Sequence, residues 1–137
     1  MKDLRAVEAV IIRANRVLLL QRKSGTWQFV TGGVEEGETI EAALKREIKE
    51  ETGMTDTRVV RKLGDRRITV TGKQVKIESF LVMANTVTVD VEHNPDGEHI
   101  DYKWVWLTDA AKDLHYDDQK NILVKAVDAL GGVFSKE

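Results

Sequence analysis

Short apolar runs open the chain. Residues 4–12 (LRAVEAVII) and 16–21 (RVLLLQ) are rich in Val, Ile and Leu and flank Ala14-Asn15, which predicts two strands meeting at a hairpin. Residues 26–31 (TWQFVT) predict a further short strand. From Thr39 the period changes. Apolar residues now fall at Ile40, Ala43, Leu44 and Ile48, the rhythm of roughly 3.6 residues that marks a helix, and Gly53 stands where a C-cap glycine belongs.

Beyond that helix, residues 57–70 and 74–89 are rich in Val, Ile and Thr and lie either side of Thr71-Gly72-Lys73, the pattern of a long hairpin. A polar loop from Glu92 to Asp101 precedes one more strand, Tyr102 to Leu107. A second helix, Asp117 to Leu130, carries Ile122, Leu123, Ala126, Val127 and Leu130 on one face and runs into Gly131-Gly132. Strands outnumber helices and separate them. A mixed sheet with helices on its faces, an α/β architecture, is the simplest way to bury both apolar stripes. With one proline, no Pro/Ser-rich linker and no repeat, residues 1–137 are expected to form a single domain.

Composition narrows the function classes. The AVILMFWYC set makes up 42% of the chain and charged residues 32%, an ordinary globular balance. Twenty-three acids against twenty-one Lys and Arg give a net charge of -2, and the basic residues are scattered, which argues against duplex nucleic acid or a membrane surface as partner. The absence of cysteine removes disulfides, thiolate metal sites and Cys nucleophiles. Arg5, Glu8 and Arg13 interrupt the first apolar run, and no stretch approaches the roughly 18 apolar residues of a membrane span, so a cytoplasmic protein is expected.

The chemistry concentrates on the first helix. Glu47, Glu50 and Glu51 are related by i, i+3 and i+4 steps, so their carboxylates converge at the margin of the face that carries Ile40, Ala43 and Leu44. Such a cluster either raises its pKa values or binds cations, and an oxygen-only donor set suits Mg2+ or Mn2+. The alternative is a solvated face held by i, i+4 ion pairs with Lys45, Arg46 and Lys49. Immediately upstream lies a glycine-rich, acidic loop, Gly32-Gly33-Val34-Glu35-Glu36-Gly37-Glu38.

Together, Gly32, Glu38, Arg46, Glu47, Ile48, Glu50, Glu51, Gly53 and Met54 fill the pattern G-x5-E-x7-R-E-U-x-E-E-x-G-U, where U is a bulky aliphatic residue. Residues 32–54 therefore resemble the Nudix box, with Met54 where Ile, Leu or Val is more usual. The resemblance implies an α/β/α sandwich and cleavage of a diphosphate linkage in a nucleoside diphosphate joined to a further group, with Mg2+ or Mn2+ as cofactor. By position it makes Glu47, Glu50 and Glu51 metal ligands, with Gly32 also at the metal site. Arg46 would orient Glu47 or pair with Glu38. The general base is a box glutamate, Glu47 or Glu50, or a distal carboxylate. Glu98 is the distal candidate for base or metal ligand, with Glu92 and Asp101 as substitutes and a solvated loop acid as the alternative; His99 is expected to pack or hydrogen-bond.

The flanking segments Trp27 to Thr39 and Glu98-His99-x-x-Tyr102-Lys103-Trp104 look like the branch that contains dATP pyrophosphohydrolase and dihydroneopterin triphosphate pyrophosphatase. The resemblance thus implies a small-molecule nucleotide or pterin triphosphate, cleaved to the monophosphate and pyrophosphate. Trp27 and Phe29 are candidates to stack on its ring, or else are core residues; Arg5, Arg22 and Lys23 are candidates to reach its phosphates, or else are solvated. Prolines expected of ADP-ribose hydrolases after the box are missing, as is a tyrosine in 56–70 of the kind associated with diadenosine polyphosphate hydrolases. An RNA 5′ end, a dinucleoside polyphosphate, or a non-catalytic nucleotide-binding module are the other readings. A homodimer through the edge of the 57–89 hairpin is a further expectation from relatives.

Overall fold

The computed structural model describes residues 4–91 and 99–131. In order they form β1 (Leu4–Arg13), β2 (Arg16–Arg22), β3 (Trp27–Gln28), β4 (Val30–Gly33), α1 (Ile40–Thr52), β5 (Thr57–Val70), β6 (Lys73–Ala84), β7 (His99–Trp106), a 3-10 turn (Ala110–Lys112) and α2 (Asp117–Ala129). Ala14 and Asn15 both take positive φ, as do Thr71 and Gly72, so each long hairpin closes through a two-residue turn whose twist matches its strands.

The seven strands make one mixed sheet, β3-β2-β1-β6-β5, with β4 also paired to β1 and β7 to β2. Only the β1–β6 ladder is parallel among the pairs described. β1 changes partner along one edge: Ala6 to Ala9 pair with β4, whereas Ile12 and Arg13 pair with β2. The two strands diverge there, and β3 and β4 fill the gap. The 26–31 segment is therefore two strands rather than one, because Trp27-Gln28 pairs with β2 and Val30 onward with β1.

Alternation along the strands loads both faces. Val7, Ala9, Ile11, Leu18 and Leu20 join Ala43, Leu44 and Ile48 of α1 on one side, while Val10, Ile12, Val17 and Leu19 join Ile122, Leu123 and Ala126 of α2 on the other. One helix on each face completes the α/β/α sandwich. The side chain of Thr39 accepts the Ala42 N–H, and Gly53 closes α1 at φ 76° with its own N–H on the Lys49 carbonyl. No helix among the described residues is long and apolar enough to cross a membrane.

Candidate active site

One arginine ties α1 to the loop that feeds it. Arg46 donates from Nε and Nη2 to the two carboxylate oxygens of Glu38 at 2.8 and 2.9 Å, and from Nη2 to the Gly33 carbonyl at 2.8 Å. Its Nη1 donates to Glu47 at 2.8 Å and to Glu50 at 3.2 Å. The Arg46 guanidinium, helped by the Glu35 backbone N–H, lowers the Glu38 pKa from the ordinary 4.5 to about 2. The same contacts, Glu38 foremost, push Arg46 above its own ordinary value.

The helix glutamates grade from core to solvent. Glu51 is buried, the Glu47 side chain is 12% exposed and that of Glu50 38%. Gly32, at the end of β4, lies flat against Glu47, where a β-carbon would collide with the carboxylate. Among the described residues no three His, Asp or Glu side chains already close round a point in metal-binding geometry. Arg46 draws Glu47 and Glu50 to Nη1, while Glu51 Oε1 lies 3.9 Å from His99 Nδ1. The other ring nitrogen of His99 is 3.0 Å from Gln28 Nε2.

A second polar cluster lies on the α2 face. Glu8 is fully buried and accepts from Ser79 Oγ at 2.8 Å, Thr31 Oγ1 at 3.1 Å and Arg66 Nη2 at 2.6 Å. Arg66 also donates to Asp118 at 2.7 Å. The charge of Glu8 is thus matched inside the protein by a guanidinium and two hydroxyls, as a buried carboxylate requires. This cluster forms part of the wall of a cleft of about 420 Å3, lined among others by Arg22, Gln28, Thr31, Arg66, Tyr116 and Gln119. Thr31 precedes Gly32 in β4, and Gln28 meets His99, the residue 3.9 Å from Glu51.

The other sequence candidates fall as follows. Phe29 is completely buried in the core beneath α2, so it presents no face for stacking, a correction that follows from its position at the crossover between β3 and β4. Trp27 packs partly against the same core and carries the Lys103 ammonium 4.1 Å from its ring centre. Arg22 lines the cleft; Lys23 is exposed in the following turn; Arg5 is paired with Glu78 at 2.9 Å. Asp101 is exposed on β7. Glu98 and Glu92 lie outside the described residues. Neither Glu8 nor Arg66 is among the site candidates that the sequence offers. Glu8 did leave a trace there, as an acid in the middle of an apolar strand.

A family model described as "NUDIX domain" matches residues 2–125. The nucleoside triphosphatase NudI of Escherichia fergusonii is 32% identical over 112 residues, 75% of this chain and 78% of that protein. The dihydroneopterin triphosphate diphosphatase of Escherichia coli is 60% identical over 38 residues, 26% of this chain and 25% of the relative. The chain spans less than half the length of several other curated relatives it matches. Among solved structures, the binary complex of C. elegans Ap4A hydrolase superposes with a TM-score of 0.83 at 28% identity, covering 95% of this chain and 99% of that one.

Proposed function

The chain belongs to the Nudix family, and we propose that it is a Mg2+- or Mn2+-dependent pyrophosphohydrolase that cleaves a nucleoside or dihydroneopterin triphosphate to the monophosphate and pyrophosphate. The observation that carries this reading is the likeness to NudI along three quarters of the chain, joined to a complete carboxylate set on α1. The 38-residue likeness to the pterin enzyme adds the second substrate of the pair.

The residues present fit a hard divalent cation. Glu47, Glu50 and Glu51 offer only oxygen, and the side-chain-free surface of Gly32 leaves the Glu47 carboxylate room to sit against β4. These three carboxylates would hold the ion. When bound, it supplies charge neutralisation and Lewis acidity at the phosphoryl oxygens. Arg46 fixes the angle at which Glu47 and Glu50 leave the helix and holds the Gly33 backbone in place. The proton of the attacking water passes to a carboxylate, with Glu47, Glu50 and Glu98 the candidates. The cleft on the α2 side receives the heterocycle, its volume falling in the ordinary range for a small-molecule site of roughly 300–1,000 Å3. Arg22, which lines the cleft, is the cation this reading assigns to the phosphate chain.

A dinucleoside polyphosphate is the second reading, favoured by the full-length likeness to the Ap4A hydrolase. The deciding experiment is turnover of dATP, other nucleoside triphosphates, dihydroneopterin triphosphate, ADP-ribose and Ap4A in Mg2+ and in Mn2+. Pyrophosphate is resolved from phosphate, and Glu51→Gln is the blank. A triphosphate leading the panel with pyrophosphate released is the expected result. Ap4A in the lead promotes the second reading, and no turnover above the blank overturns both.

A further inference from the structure

His99 lies on the face of the sheet where simple alternation would not put it. Along β7, Tyr102 and Trp104 pack on the α1 side, whereas Val105 packs on the α2 side and Lys103 lies over Trp27, itself packed there. Continuing that alternation backward would send residue 99 to the α2 side. Instead the ladder slips: Gln21 pairs with Asp101 but Arg22 pairs with His99, so Ile100 is an extra residue opposite β2. A bulge of this kind reverses the side chains that precede it. Ile100 is accordingly exposed and the His99 side chain is fully buried, turned to the face that carries Glu51.

The partners of the ring fix its proton. Gln28 Nε2 is an amide nitrogen and only donates, so at 3.0 Å the His99 Nε2 accepts. In the neutral ring the proton then resides on Nδ1, the nitrogen 3.9 Å from Glu51 Oε1. The N–H dipole thus lies near a buried carboxylate, beyond hydrogen-bond distance and within range of its field. Gln28 in turn lines the substrate cleft.

We propose that His99 is a positioning residue: with Nε2 held by Gln28, its Nδ1–H orients the Glu51 carboxylate for cation binding. The inference rests on the assignment of Glu51 as a metal ligand made above. Outer partners of metal ligands act in this way, by fixing the ligand's rotamer and direction.

The two nitrogens can be tested separately, because an asparagine amide reaches about as far as Nδ1 and a glutamine amide about as far as Nε2. The probe is Mn2+ alone, with free ion counted by electron paramagnetic resonance, beside kcat and KM for the best triphosphate and the unfolding midpoint of each protein. His99→Gln and His99→Phe are expected to weaken Mn2+ binding by about tenfold or more. Their kcat should fall and their KM stay near that of the parent protein. His99→Asn should stay within about threefold of the parent in Mn2+ affinity. If His99→Phe fails to fold, the Asn and Gln pair carries the comparison. Equal losses in Asn and Gln, or unchanged Mn2+ affinity in folded Gln, overturn the positioning role while leaving the hydrolase reading intact. A parent protein that neither binds Mn2+ nor turns over a triphosphate overturns the functional reading and this inference with it.

Discussion

Arg46 and Glu38 are joined by two parallel hydrogen bonds, Nε to Oε2 at 2.8 Å and Nη2 to Oε1 at 2.9 Å, and this fork clamps the glycine-rich loop onto α1. A planar guanidinium matched to both oxygens of one carboxylate is more directional than a single ion pair. Because the same guanidinium reaches Glu47 and Glu50, the loop and two of the three candidate metal ligands are set by one side chain.

The clamp predicts a pH dependence of stability. Glu38 has its folded pKa depressed to about 2. Its contribution is therefore fully present above the ordinary value near 4.5 and is lost as pH falls toward 2. Urea unfolding across that window should show a decline in the parent protein that is smaller in Glu38→Gln. An identical pH slope in the two proteins would contradict the assignment.

Replacing Glu50 by Gln keeps the shape of the side chain and removes its charge. Turnover should fall by at least about tenfold, since even outer partners of metal ligands cost that much. The unfolding midpoint should barely move, because Glu50 is the most exposed of the three glutamates. Steady-state kinetics beside thermal unfolding separates the two effects.

Gly32→Ala tests the cradle directly. The atoms nearest the added methyl are those of the Glu47 carboxylate, the tip of a flexible side chain, so the fold should tolerate it with a midpoint within about 3 °C of the parent. The displaced carboxylate should cost turnover by about tenfold or more. Parent-like kinetics in the variant would remove Glu47 from the site.

The Glu8–Arg66 pair holds β1, β5 and α2 together, since Arg66 also reaches Asp118. Arg66→Leu leaves a fully buried carboxylate without its guanidinium and should cost about 3–5 kcal/mol in urea unfolding. The double variant Glu8→Leu, Arg66→Leu should recover part of that loss, with a coupling energy of at least about 1 kcal/mol. Additive losses would mean that the two side chains act independently.

Much of the architecture was legible in the chain because it is local. The i, i+3, i+4 spacing of Glu47, Glu50 and Glu51 and the Gly53 stop belong to one helix, so periodicity alone placed the carboxylates on one side. The two hairpins announced themselves by apolar runs around Ala14-Asn15 and Thr71-Gly72, where the turn sets the register. The resemblance carried by residues 32–54 drew on those same local spacings.

Tertiary structure alone decided where strands meet. A side chain on a strand changes face with every one-residue shift of register, so the Ile100 bulge, invisible in composition, sets His99 beside Glu51. The split between β1 and β2 is equally non-local. It breaks 26–31 into two strands and buries Phe29 in the core, one of the two places the sequence allowed it. Glu8 and Arg66 could pair only once β1, β6 and β5 lay side by side, because neither residue carries in its neighbours the address of the other.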